Sequence, residues 1–369
     1  MDSCDVLIVG GGPAGSTLAW KLRTCGLDVV VLDKSTFPRD TVCAGWVTPA
    51  TTDLLQLDKD EYSRGRVLQH ISGFKTGMIG GAGVVTRYGR TISYGIRRSE
   101  FDHYLLKRSG ARLRLGEPLR TMERDKDVWV VNQYLKTPLV IGAGGHFCPV
   151  SRSLKKDQER NGSAVIAQEV EFEMDASQQR ECAVEGDTPE LYFYEDLKGY
   201  AWCVRKGNFL NIGLGREDNH NIAEQVRSFV GFLKETKRIP VNSPGNFRGH
   251  AYLLYNGVSQ TLVDDGVMLI GDAVGLAYPK SGEGIRPAVE SALTAAEVIL
   301  SAAGDYQRNR LLRYPSLLAG RFGKGGTFPG IVPPAVKRFV SRRLMESSWF
   351  SRHVLLDRWF LNAHRPALR

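Results

Sequence analysis

Along the chain, the first apolar run is Val6-Leu-Ile-Val9, and it stops at a glycine-rich turn, Gly10-Gly-Gly-Pro-Ala-Gly15. A pattern with helical period follows from about Ala14 to Cys25. A second apolar run, Val29-Val-Val-Leu32, then ends on Asp33. Strand, helix and strand at these lengths predict a β-α-β unit. Short apolar runs at 128–131, 139–141, 192–194, 209–212 and 267–270 predict further strands, and an alanine-rich pattern over 287–303 predicts a long helix. Strands that alternate with helices predict an α/β fold. From about Ser163 to Leu214, short strand-like runs alternate with charged turns, which predicts an antiparallel sheet. Pro333-Pro334 marks a joint before a last helix pair, from Ala335 to about Leu361.

Composition narrows the class. A chain of 369 residues is long enough for two domains, and 42% hydrophobic with 24% charged residues excludes general disorder. No run approaches the ~18 apolar residues of a membrane span. The acidic start, Met1 to Asp5, leads straight into a strand pattern and argues against a signal peptide, so a cytoplasmic protein is expected. The six cysteines, 4, 25, 43, 148, 182 and 203, form no CxxC pair, and reduced thiols are expected. His70, His103, His146 and His250 lack metal-ligand spacing, so no metal is expected.

The net charge of +9 is concentrated at one end. Ten of the 49 Lys/Arg and two of the 40 Asp/Glu fall in residues 320–369, which leaves the rest of the chain near neutral. Val336, Phe339, Val340, Leu344 and Phe350 share a helical stripe, with Lys337, Arg338, Arg342 and Arg343 beside it. Trp349, Trp359 and Phe360 add aromatic rings. A peripheral membrane contact fits this mixture, and so does a solvated face over a packed aromatic core. No nucleic-acid motif accompanies the charge, and nucleic acid is not expected as a partner.

Two constellations carry chemistry. Gly10, Gly12 and Gly15 fit G-x-G-x-x-G between a strand and a helix: one glycine for the turn, one for close approach to a pyrophosphate, one for helix–strand packing. Asp33, at the end of the next strand, stands where an acid accepts hydrogen bonds from ribose hydroxyls. This predicts a dinucleotide site without separating FAD from NAD. The second constellation is a strand entering Gly271-Asp272, followed by Pro279-Lys-Ser-Gly-Glu-Gly-Ile285, a second glycine-rich helix start beside a carboxylate.

Both together resemble the FAD-dependent oxidoreductases of the p-hydroxybenzoate hydroxylase fold, and within them the geranylgeranyl reductase family. Three segments carry the narrower likeness: Phe37-Pro-Arg-Asp-Thr-Val-Cys-Ala-Gly-Trp46, the R-x-x-F-D of Arg98 to Asp102, and Gly199-Tyr-Ala-Trp-Cys-Val-Arg-Lys206, similar to Y-x-W-x-F-P. The resemblance implies non-covalent FAD held by Gly10, Gly12, Pro13, Ala14, Gly15, Asp33, Lys34, Ala44, Gly45, Arg98, Gly144, Gly271, Asp272, Gly282, Gly284 and Ile285. Cys43, Tyr200 and Trp202 would meet the substrate. Cys43 could shape the ring face, steer the substrate or donate a proton, while Cys4, Cys25, Cys148, Cys182 and Cys203 read as structural. Tyr200 and Trp202 share one strand face; core packing and a cavity wall both fit them.

Two departures matter. Gly144 stands where the family carries an acid, which weakens hydroxylase-style NADPH use, and Val204-Arg205 replaces the usual Phe-Pro. The expected architecture is a Rossmann-like FAD domain from 1–70, 96–152 and 255–305, an interleaved antiparallel-sheet substrate domain from 71–95 and 153–254, and a C-terminal helical basic segment, 306–369. The implied activity is reduction of a C=C bond of an isoprenoid or other apolar, lipid-like small molecule by hydride from reduced flavin N5. Alternatives are a flavin-dependent monooxygenase or halogenase on an aromatic substrate, a cyclase or isomerase without net turnover, and a flavoprotein electron carrier. The missing W-x-W-x-I-P segment weighs against a tryptophan-type halogenase. NAD(P)H and a ferredoxin-like protein both fit as electron donor, and the sequence does not indicate an oligomeric state.

Overall fold

A computed structural model of the chain describes residues 1–154, 164–218, 221–257, 260–323, 342–366 and 368. It divides into two compact units: Met1–Arg39 with Ser99–Gly162 and Tyr252–Thr327, and Asp40–Arg98 with Ser163–Ala251 and Phe328–Arg369.

The first unit is built on a six-stranded sheet in the order Val263–Asp264, Val267–Leu269, Leu139–Gly142, Val6–Val9, Val29–Asp33, Arg112–Leu115. All its pairings are parallel except the edge pair of Val263–Asp264 with Val267–Leu269. Val6–Val9, Val29–Asp33 and Leu139–Gly142 are buried throughout, as expected of parallel strands covered on both faces. The helices Pro13–Thr24 and Ile285–Ala302 share one core through Leu18, Leu22, Ala288, Ala292 and Ala295. Both helices and the β-α-β unit lie within two residues of the sequence expectation.

The second unit holds a seven-stranded sheet in the order Arg248–Leu253, Ala164–Glu173, Phe209–Arg216, Gly199–Lys206, Glu190–Phe193, Gly73–Met78, Gly83–Arg87. Its central pairings are antiparallel, the parallel one being Glu190–Phe193 with Gly73–Met78. One face of the sheet is covered by the helix Ile222–Glu235. Val226, Phe229 and Leu233 pack there on Ala201, Cys203, Leu210, Ile212 and Leu214.

Two boundaries differ from the sequence expectation. Residues 40–70, grouped there with the glycine turn, belong to the second unit, because Trp46–Val47 and Leu68–Ile71 both pair with Ser93–Ile96 in a three-stranded antiparallel sheet. Residues 306–323, grouped with the basic tail, belong to the first, because Tyr306, Leu311, Tyr314, Leu318 and Phe322 enter its core. Val336, Phe339, Val340, Lys337, Arg338 and the Pro333-Pro334 joint lie outside the described residues. Of the tail aromatics, Phe360 is not a surface ring. It is fully buried against Trp46, Phe193 and Tyr200, with ring centroids 6.2, 6.1 and 5.1 Å away. Among the described residues, no helix is long and apolar enough to cross a membrane.

Candidate active site

In the first unit the glycine turn lies where the strand Val6–Val9 meets the helix Pro13–Thr24. Gly10 adopts φ +118°, and a Cβ there would collide with the backbone of Ala143 and Gly144, so only glycine lets the two strand ends approach. Gly15 packs directly on the Gly10 carbonyl. Pro13 occupies the first helical position, where its missing N–H costs nothing, and Ala14 is buried behind it. Asp33 ends the neighbouring strand. Its Oδ2 accepts from the Gly11 N–H at 2.8 Å and its Oδ1 from the Ser35 N–H at 2.8 Å. Lys34 beside it is exposed.

The second glycine-rich segment converges on the same place. A Cβ on Gly271 would stand 2.9 Å from the Ala14 Cβ, so Gly271 abuts the first turn of the helix Pro13–Thr24. Gly284 precedes the helix Ile285–Ala302, and a Cβ on it would lie 3.2 Å from Asp272 Oδ1. Gly282 fits under the Tyr252 ring, and Ile285 is buried in the first turn. Two helix N-termini and two carboxylates therefore meet at one end of a parallel sheet. A dinucleotide fits this end. The one atom near a Cβ on Gly12 would be Arg39 Nη2 at 3.4 Å, a cation rather than backbone, as a diphosphate requires. Arg39 is itself held by the buried Asp102 at 3.6 Å. Gly144 packs on Cys148, with the Cys148 Cα 3.2 Å from where its Cβ would be.

In the second unit the sheet face opposite the helix Ile222–Glu235 carries Tyr200 and Trp202, ring centroids 5.9 Å apart, as their alternation on one strand predicts. Trp202 is buried and lies over Gly213, its cross-strand partner, where any side chain would overlap the indole. Glu169 pairs with Gly213 from the other side, and Glu171 pairs with Asn211. A buried polar cluster results. The Trp202 indole N–H donates to Asn211 Oδ1 at 2.7 Å. Asn211 Nδ2 donates to the Cys43 carbonyl at 3.1 Å, and Glu169 Oε2 accepts from the Cys43 N–H at 2.7 Å. Lys206, fully buried, pairs with Glu171 at 2.6 Å and donates to the carbonyls of Ala44 and Ile96 at 3.2 and 3.0 Å. Gly45 has φ +70°, and a Cβ there would strike the Ile96 carbonyl and the Lys206 ammonium.

Burial sets the proton affinities of this cluster. Desolvation pushes Glu169 up to about 8 against the pull of the Lys206 charge. Burial also acts to raise Glu171, but the Lys206 charge and hydrogen bond outweigh it and hold that carboxyl below its ordinary value. Burial raises the Cys43 thiol as well, with Arg98 opposing and Glu169 adding to the shift. The Arg98 side chain hydrogen-bonds Cys43. Cys4, Cys148, Cys182 and Cys203 are buried and free, whereas Cys25 is exposed at the end of its helix and packs in no core.

Glu169, Glu171, Lys206 and Asn211 are the residues that sequence reasoning missed. Glu169, Glu171 and Glu173 alternate along a strand, which reads as a solvated face. The available signal was Lys206 closing the Tyr200–Trp202 segment on the same alternation as the two rings.

Comparison with known proteins gives the family and the fold. The family described as FAD binding domain matches residues 3–316. The menaquinone reductase of Mycobacterium tuberculosis is 30% identical over 350 residues, 88% of this chain and 82% of that protein. The digeranylgeranylglycerophospholipid reductase of Methanocaldococcus jannaschii is 27% identical over 339 residues, 85% of this chain and 81% of that protein. Among solved structures, a geranylgeranyl bacteriochlorophyll reductase-like protein from Thermoplasma acidophilum superposes with a TM-score of 0.71 at 21% identity, covering 94% of this chain and 88% of that one. At that identity the likeness is one of fold. The chain therefore belongs to the FAD-binding-domain family, as an FAD-dependent oxidoreductase related to the geranylgeranyl reductases.

Proposed function

We propose that this protein reduces a carbon–carbon double bond in an isoprenoid chain or another apolar, lipid-like molecule, with Cys43 as the acid. The observation that carries the reading is a half-buried thiol, kept protonated by its surroundings, on a loop held to the sheet face that bears Tyr200 and Trp202. When bound and reduced, FAD supplies the two electrons as hydride. Gly10, Gly12, Gly15 and the N-terminus of the helix Pro13–Thr24 bind its diphosphate, with Asp33 on a ribose. Asp272, Gly282, Gly284 and Ile285 bind its further polar parts. Arg98 orients the Cys43 side chain. Tyr200, half-buried and backed by the buried Trp202, offers flat apolar surface to a chain and excludes water from it. The thiol protonates the carbon that does not take hydride.

The test is a single turnover of anaerobically reduced enzyme with a polyprenyl quinone and a geranylgeranyl lipid, followed by mass spectrometry. The expected product gains two hydrogens. A product carrying a new hydroxyl or halogen, formed only with oxygen, replaces this reading with a monooxygenase or halogenase; no product from either lipid removes it. Reduction rates with NADPH, NADH and reduced ferredoxin identify the donor. Gly144, packed on Cys148 in place of an acid, favours a ferredoxin-like protein.

An apolar lipid-like substrate also gives the basic tail a use. Leu344 and Trp349 are exposed beside Arg342 and Arg343. Each basic residue near anionic lipid contributes about 1 kcal/mol. Sedimentation with anionic vesicles is expected, and Arg342→Glu with Arg343→Glu should abolish it. Binding to neither anionic nor zwitterionic vesicles argues for an ordinary solvated face.

A further inference from the structure

We propose that Glu169 and Asn211 are positioning residues for Cys43, fixing its thiol by holding both main-chain polar groups of that residue from neighbouring strands. The proposal rests on the reading of Cys43 as the acid. A loop residue normally leaves its backbone N–H and C=O to water or to its own turn. Here the Cys43 N–H goes to Glu169 and its carbonyl to Asn211, while Lys206 takes the next carbonyl, that of Ala44. The three side chains come from three adjacent strands, in fixed register. Asn211 cannot turn its amide round, because the Trp202 indole N–H occupies Oδ1. A loop of small residues, Cys43-Ala44-Gly45, thereby inherits the rigidity of the sheet.

The clamp also has an electrostatic consequence. Lys206, Glu171, Arg97 and Arg98 are the other charged groups around it, and Lys206 and Arg97 both lie on Glu171, at 2.6 and 3.3 Å. The Glu169 carboxyl is therefore left with the Cys43 and Asn211 donors, and its ionisation near pH 8 adds a negative charge beside the thiol.

Alkylation of Cys43 in the holoenzyme by iodoacetamide, mapped by peptide mass spectrometry, tests this from about pH 6 to about pH 10. The exposed Cys25 is the internal reference in the same digest. Glu169→Gln keeps an acceptor for the Cys43 N–H but cannot become charged. Its Cys43 is expected to react about tenfold faster above pH 8, because ionisation of the thiol moves down by about one unit when a like charge is removed. A profile that superimposes on wild type overturns the proposal. Should Glu169→Gln fail to accumulate as holoenzyme, Asn211→Ser supplies the second measurement: faster alkylation at every pH with an unmoved midpoint. A folded Asn211→Ser with the wild-type rate likewise overturns it. A Cys43→Ser enzyme with undiminished turnover would sink the acid reading yet leave these profiles unchanged, so the two failures are separable.

Discussion

Cys43→Ser will bind FAD and accept electrons as the wild type does, and will lose at least ~10²-fold in the product-forming step, the usual cost of removing a general acid. Serine is close in size, and the two main-chain bonds that hold residue 43, to Glu169 and Asn211, do not involve its side chain. The substitution therefore leaves the loop in place and changes the proton donor. A thiol ionises near 8.5 in the open, and an alcohol holds its proton far more tightly. Burial has already raised Cys43, so its thiol keeps its proton at neutral pH, and it remains a far stronger acid than the serine hydroxyl. Rapid mixing of reduced enzyme with substrate separates the steps. Turnover close to wild type at saturating substrate removes Cys43 from the chemistry, and loss of FAD reassigns it to cofactor binding.

The second large effect is on stability. Lys206→Met is expected to cost about 3–5 kcal/mol, the range for breaking a buried ion pair from one side. Nothing of the Lys206 side chain is exposed. Its ammonium holds Glu171 at 2.6 Å and two carbonyls, those of Ala44 and Ile96, from separate segments. Methionine fills the same volume but leaves the carboxylate and both carbonyls without that donor. Arg97, 3.3 Å from Glu171, compensates part of the charge and places the cost at the lower end of the range. Lys206→Met with Glu171→Gln should recover a substantial part of it, since the pair is then removed rather than broken. Urea midpoints of the single and double variants check both statements, and a single variant within 1 kcal/mol of wild type by that measure shows the pair contributes no net stability.

The strand–turn–helix units of the protein were legible in the sequence. The glycine turn, the helix after it and Asp33 span fewer than thirty residues, and each part demands the next. An apolar strand has to stop, a turn at φ +118° needs Gly10, and a helix needs its first turn near Pro13. Gly271-Asp272 and Gly282 to Ile285 are nearly as local. Tyr200 and Trp202 were legible as one face of one strand, because a period of two places them there wherever the strand goes. What could not be read was what that face does, or where residues 40–70 pack.

Those points depend on pairings across long stretches of chain. Glu169 meets the Cys43 backbone 126 residues away, and Asn211 meets it 168 residues away, through a register that aligns Glu169, Gly213 and Trp202 across three strands. Alternating acids look like a wet surface until a lysine, an asparagine and a loop backbone are brought against them. Glu169 is then buried and raised by desolvation, while the partly buried Glu171 is held low by Lys206. For Phe360 the sequence left a surface contact and a packed aromatic core both open; it is buried because Trp46, Phe193 and Tyr200 enclose it. The sequence by itself determined the strand–turn–helix units, since their causes lie within a few residues. Burial and electrostatic environment were decided only by the tertiary structure, because both depend on which distant groups displace water from a side chain.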